Sequence, residues 1–256
     1  IPESLKNTSF PFSYNNFSYL KKLIDKKNIG IIKMEVMRNT QPQNNFLQKV
    51  RKLCDKKKII LIFDECTSGY RENMGGLHLK FKVDPDMAIF GKCLGSGFAI
   101  NAIIGKRQIM EKAEKTFISS TFWGERVGYT AAIASIKEFK SLNVFKKIEN
   151  NGRFIKNIWI DLSKKYNVPI KVMGTNAIPS FEFKFSHIER KTYLTQEMLK
   201  NRILATNMIY VTIFHSKNEI KKYLKILEIV FNDISKKNIK KKLKSKLCFR
   251  PIKRIN

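Results

Sequence analysis

Apolar residues recur along this chain at two spacings, one helical and one extended. Residues 1–18 are polar and aromatic, carry Pro2 and Pro11, and read as loop. Over 17–28, Leu20, Leu23 and Ile24 fall on one helical face, which predicts a helix. Residues 29–36 read as a short strand ending near Glu35. Over 44–58 the pattern is amphipathic, with Phe46, Leu47, Val50, Leu53 and Cys54 on one side. Residues 59–63, IILIF, form an unbroken apolar run, which predicts a parallel strand covered on both faces. Further strands are predicted over 86–92 and 99–106. A helix begins at 109–113, and a longer one spans 124–142.

Strands alternating with helices predict a three-layer α/β domain with a mostly parallel sheet. Such sheets bind ligands beyond the carboxyl ends of their strands, and IILIF runs straight into Asp64 and Glu65 there. After about residue 142 the pattern changes. A long helix over 143–166 precedes strands over 169–174 and 178–185, a helix over 190–203, a strand over 208–214 and a helix over 217–236. This predicts a small C-terminal α/β domain over 143–256, after a large-domain part over 1–142. Residues 236–246, KKNIKKKLKSK, form a charge run read as a solvated or frayed end, the alternative being contact with an anionic surface.

The 256 residues suffice for a real core, and 43% of them are hydrophobic, a globular composition. The net charge of +29 raises the question of an anionic partner, nucleic acid or a membrane surface. The excess is mostly Lys, spread along the whole chain. Lys is poorly suited to bidentate phosphate recognition, and no aromatic–basic nucleic-acid motif accompanies it. Cys54, Cys66, Cys93 and Cys248 lie far apart and, with three scattered His, make no metal pattern. Reduced thiols in the cytoplasm are the default for such spacing. No apolar run is long enough to span a bilayer. The chain opens in mid-pattern at Ile1, and an N-terminal part is expected to be missing.

The candidate chemistry lies beyond the apolar strand. Lys92 sits 28 residues after Asp64, in FGKCLGSG, between a predicted strand and a Gly-rich turn. A strand-end lysine in a confined cleft is desolvated and becomes a nucleophile toward carbonyls. A carboxylate on a neighbouring strand end could pair with a protonated ring nitrogen. Pyridoxal phosphate (PLP) needs both groups: an amine for the Schiff base and an acid for the pyridinium nitrogen. Residues 117–125, FISSTFWGE, add a hydroxyl cluster running into a helix start, a setting suited to phosphate. Singly, each has a plain alternative: an ordinary surface lysine, a capping carboxylate, a capping hydroxyl.

Together these segments carry a specific likeness. LIFDECTSGYR, DPDMAIFGKCLGSGFAINAIIGKRQIM and STFWGERVGYTAA resemble the PLP-binding core of class III aminotransferases, most of all the glutamate-1-semialdehyde aminomutase branch. The likeness covers most of residues 1–235. It implies PLP-dependent transferase fold type I, with the N-terminal part of the large domain absent. It implies that Lys92 carries the cofactor, that Asp64 bonds the pyridine nitrogen, and that Cys66, where the family usually has Val, packs on the ring face. Thr121 would bind the cofactor phosphate, reaching the partner subunit's site in a homodimer. Glu65 accompanies the acid with no chemical step assigned and is read as structural. Arg38, Arg71 and Arg126 are candidate carboxylate binders for a small-molecule amino donor and carbonyl acceptor.

Two departures stand out: GER (124–126) replaces the usual GNP, and EV (35–36) replaces the usual EP. With SSTFWGER they resemble an aminomutase-like subgroup associated with sugar or surface-polysaccharide pathways. Three readings follow: a PLP-dependent aminotransferase or aminomutase, an inactive fragment of one, or a non-enzymatic basic nucleic-acid-binding module.

Overall fold

Parallel pairing of three short strands organises the first part of the chain. A computed structural model describes residues 2–236 and 239–248. They form two compact units, divided between Lys140 and Ser141.

In the first unit, α1 (Phe17–Lys26) leads into β1 (Ile31–Met34), and α2 (Phe46–Lys57) into β2 (Ile60–Asp64). β3 (Met87–Phe90) and β4 (Ala102–Gly105) follow, then α3 (Arg107–Met110) and α4 (Arg126–Ser141). The sheet order is β1-β2-β3-β4. β1, β2 and β3 run parallel, with Met34 beside Phe63 and Asp64 beside Ile89, and β4 closes the edge antiparallel. Local signals set the helix ends. The Asn16 side chain accepts from the Tyr19 amide at 3.0 Å to start α1. Lys58 turns left-handed at φ 55° to end α2, and the Ile59 amide bonds back to the Cys54 carbonyl.

One face of the sheet is well covered. Ile32, Met34, Leu61 and Phe63 are buried with Leu20 and Ile24 of α1 and with Phe46, Leu47, Val50 and Cys54 of α2. Against the sequence expectation, β2 is not buried on both faces. Its burial alternates, with Ile60 and Ile62 only half-buried, and Ile31 is exposed beside them. Alternation is what a strand shows when helices pack on one side alone. Among the described residues, no third layer covers these positions.

At the start of the strands, Asp86 ties the layers together. Its carboxylate accepts from the Leu61 amide at 2.8 Å, pairs with Arg51 of α2 at 2.9 Å and with Lys106 at 2.7 Å. Burial pushes the Asp86 carboxyl up. The Leu61 amide and the two cations outweigh that and hold it below the usual carboxylate range.

The second unit contains α5 (Val144–Lys165), the antiparallel pair β5 (Ile170–Met173) and β6 (Ser180–Phe183), α6 (His187–Lys200) and α7 (Lys217–Ser235). Its core is aromatic: Trp159 meets Phe181 edge-on at 4.8 Å, and Phe181 and Phe183 both pack on Phe231. The Trp159 indole donates to the buried Tyr223 hydroxyl at 2.9 Å. Gly152 lets α5 lie against the turn between β5 and β6, because a Cβ there would sit 1.7 Å from the Asn176 carbonyl oxygen.

One expectation fails in this unit and one holds in part. The strand predicted over 208–214 is reduced to one bridge, Ser180 with Met208, plus single bonds from Ile209 to the Pro179 carbonyl and from Val211 to Ala177. Pro179 has no N–H to return, so a regular ladder cannot form opposite it. The described lysines of the basic run are exposed to solvent as expected, but the run is not frayed where it is described. Ile239 is buried, Lys242 pairs with Asp233 at 2.8 Å, and the Lys242 carbonyl and Lys244 amide both bond Gln196. Lys237, Asn238 and residues 249–256 of the predicted C-terminal domain lie outside the described residues.

Two stability predictions follow from these contacts. Tyr223→Phe leaves the Trp159 N–H buried without its acceptor, so denaturant unfolding should show a loss of about 1–2 kcal/mol. Asp86→Ala should lose about 2 kcal/mol at neutral pH, by leaving the Leu61 amide without its acceptor and Arg51 with Asp55 alone. Because the folded carboxyl is held low, the Asp86 contribution is full above the unfolded value of about 4 and fades as pH falls through the lower folded value. The gap between wild type and variant should therefore narrow in acid, and a gap independent of pH would refute the assignment.

Candidate active site

The parallel register brings two strand ends to one place. Asp64 is the last residue of β2 and lies beside Ile89 of β3, three residues before Lys92. Asp64 shares a sheet face with Ile62, which stands beside Lys33 of β1. The Lys33 ammonium accordingly pairs with the Asp64 carboxylate at 3.2 Å. The other carboxylate oxygen accepts from the Cys66 amide at 3.2 Å, which curls the chain back after the strand.

Glu65 points the other way and is completely buried. It accepts from the His78 amide and faces the His78 ring, both at 2.8 Å, and accepts from the Ser68 hydroxyl. A buried carboxylate needs such partners. Its effect is to fasten the loop that carries Cys66 and Thr67 to the turn at His78, a structural role.

Lys92 begins a short 3-10 turn after Gly91. Its backbone is left-handed at φ 44°, which is costly for a side chain with a Cβ. Bonds from Leu94 to the Gly91 carbonyl and from Gly95 to the Lys92 carbonyl hold the turn. Gly91 has no room for a side chain, since a Cβ would meet the Cys66 sulfur at 2.8 Å and Asn101 at 2.4 Å. The Lys92 amine donates to the Thr67 hydroxyl at 3.0 Å and lies 3.7 Å from Cys66 Sγ. Cys66 thus touches both predicted residues, Asp64 through its amide and Lys92 through its sulfur.

Not every sequence expectation is met. The confined, desolvating cleft expected around Lys92 is not formed by the described residues, because Lys92 as a residue is exposed. Thr121 lies exposed in the 3-10 turn Thr121–Gly124. Among the described residues no hydrogen bond joins it to Asp64, Cys66 or Lys92. Arg126 stands exposed at the start of α4, whereas Arg38 and Arg71 both reach Thr67.

Sequence reasoning missed Thr67 and Lys33. Thr67 lies inside LIFDECTSGYR, directly after Cys66. Lys33 is a single polar residue in an apolar strand, a signal that could have marked it.

An amine, a carboxylate and a small thiol on adjoining strand ends suit a cofactor offering a carbonyl and a basic ring nitrogen. That donor set fits PLP.

Comparisons with known proteins bear on the whole chain. The family described as Aminotransferase class-III matches residues 37–230. A glutamate-1-semialdehyde 2,1-aminomutase of Campylobacter hominis is 29% identical over 97% of this chain and 60% of its own length. One of Methanococcus maripaludis is 33% identical over 75% of this chain and 47% of its own. A 3-aminobutyryl-CoA aminotransferase of Cloacimonas acidaminovorans is 31% identical over 72% and 47%. Among solved structures, the FumI protein of a Sphingopyxis species, in its PLP internal aldimine form, superposes with a TM-score of 0.86 at 19% identity, covering 92% of this chain and 60% of that one. An omega-transaminase of Sphaerobacter thermophilus gives 0.79 at 17%, covering 86% and 56%. The chain therefore has the fold of PLP-dependent transaminases and spans about 60% of the length of the first relatives it matches. Because that family match runs over most of its length, the chain belongs to the class III aminotransferase family.

Proposed function

We propose that the protein is a PLP-dependent aminotransferase or aminomutase, with Lys92 as the residue that binds the cofactor covalently. The observation that carries this is the meeting of the Lys92 amine and the Asp64 carboxylate on one residue, Cys66, at neighbouring strand ends. When bound, PLP supplies an electron sink for negative charge on the substrate carbon.

The chain's own residues divide the remaining work. Lys92 Nζ would hold the cofactor through its carbonyl carbon, with loss of water, and as a free amine would move a proton at the substrate carbon bearing nitrogen. The Asp64 carboxylate holds a proton on the ring nitrogen by an ion pair, displacing or sharing its present bond to Lys33. Cys66 presents a small, soft surface to one ring face. Thr121 offers its hydroxyl to the cofactor phosphate.

Two further parts of the reading concern setting. Phe117 is 99% exposed, Phe122 74% and Trp123 55%, so the segment around Thr121 presents a large apolar surface. Such surface supports a homodimer in which this segment is covered and Thr121 is brought to a partner's site. The four free thiols fit a reducing compartment, the cytoplasm. The substrates are a small-molecule amino donor and a carbonyl acceptor. Their placement in sugar or surface-polysaccharide metabolism rests on the departures at 35–36 and 124–126 alone.

The full-length protein tests this. Lys92→Ala should abolish the borohydride-trapped pyridoxal adduct and lower turnover about a hundred- to ten-thousandfold. Asp64→Asn should keep the adduct and lose about a hundred- to a thousandfold in turnover. An adduct that persists in Lys92→Ala would remove Lys92 from the chemistry. Separately, Trp123→Glu should shift the sedimentation coefficient toward that of a monomer, and an unchanged value would count against this segment as the interface.

A further inference from the structure

Thr67 lies between two groups that matter to Lys92, and it is itself almost fully buried, 7% exposed. Three donors converge on it. Arg38 Nη1 reaches its hydroxyl oxygen at 3.1 Å, Lys92 Nζ reaches the same oxygen at 3.0 Å, and Arg71 Nε reaches its carbonyl at 2.6 Å. Arg38 is held in turn by the Glu35 carboxylate at 3.1 Å. The chain of bonds thus runs Glu35, Arg38, Thr67, Lys92.

We propose that Thr67 is a positioning residue that holds the Lys92 amine in one place through both of its protonation states. This rests on the reading that Lys92 is the reacting amine. A threonine hydroxyl has two acceptor sites and one proton. Arg38 stays charged at any working pH and so occupies one acceptor site permanently. The second acceptor site and the proton are both left for Lys92. While the amine is an ammonium, it donates to Oγ1. Once it has given up a proton, the hydroxyl rotates and donates to it instead. Donor and acceptor exchange roles while the heavy atoms stay where they are.

The two arginines make that swap possible. Arg71 fixes the Thr67 backbone and Arg38 fixes its oxygen, so only the hydroxyl hydrogen has freedom to move. Sequence reasoning offered Arg38 and Arg71 as binders of a substrate carboxylate. The geometry instead engages both on Thr67, with Glu35 already partnering Arg38.

The experiment uses the full-length protein freed of cofactor. PLP is added, samples are trapped with borohydride over time, and the modified Lys92 peptide is quantified by mass spectrometry. Thr67→Val keeps the shape of the side chain and removes the hydroxyl; Thr67→Ser keeps the hydroxyl. Attachment at Lys92 should slow about tenfold in Thr67→Val and stay within about twofold of wild type in Thr67→Ser, the effect in rate of one hydrogen bond to a charged group. Circular dichroism checks that each variant is folded. Should Val fail to fold, Thr67→Ala takes its place against the same Ser reference. Equal rates in wild type and the hydroxyl-free variant, or a Ser variant as slow as that variant, would overturn the positioning role while leaving Lys92 as the attachment site. A wild-type protein that never forms the Lys92 adduct would overturn both.

Discussion

The in-register parallel pairing of β2 between β1 and β3 is the constraint on which the site depends. Because Ile62 stands beside Lys33 and Asp64 beside Ile89, three chain segments far apart in sequence end at one edge of the sheet. A slip of one residue in either pairing would send Asp64 to the opposite face, since side chains alternate along a strand. The lysine ion pair, the turn at Cys66 and the approach of Lys92 all presuppose that register.

Buried carboxylates guard the register at both ends of the strands. Asp86 takes the Leu61 amide and two cations near the start. Glu65 takes the His78 amide and ring and the Ser68 hydroxyl just past the end. Neither could be removed from water without these partners. Such groups act less as net stabilisers than as selectors, because misregistered pairings would leave them unsatisfied. Glu65 also explains how a loop of polar residues keeps a defined shape next to the candidate amine. It is anchored from beneath, while Arg38 and Arg71 hold Thr67 from the side.

The second unit is stabilised differently. Its centre is a cluster of aromatic rings around Phe181 and Phe231, with the Tyr223 hydroxyl oxygen accepting from the Trp159 indole N–H. Large apolar area does the work there, and polar groups are admitted only where a partner waits. The sparse third strand shows how one backbone atom limits a sheet. Pro179 lacks the single hydrogen that Ile209 would need in return.

Much of this was legible in the residues themselves. Apolar spacing located every helix of four turns or more and all six strands to within a few residues, because the long helices bury one stripe and β1, β2 and β3 bury alternate residues. LIFDE and FGK, with 28 residues from Asp64 to Lys92, nominated those two residues, and the family resemblance added Cys66; the fold brings the three together. Other features depended on neighbours remote in sequence. IILIF could not reveal that the described helices cover one of its faces. The run over 208–214 could not reveal that it would lie opposite a proline. The lysine-rich tail could not reveal that Gln196 and Asp233 would receive it. Thr67 shows the division most clearly: its hydroxyl and its place in the loop are written in the chain. Its contact with Arg38 and Lys92 exists only because strand register and a buried Glu65 bring three separate segments within hydrogen-bond reach.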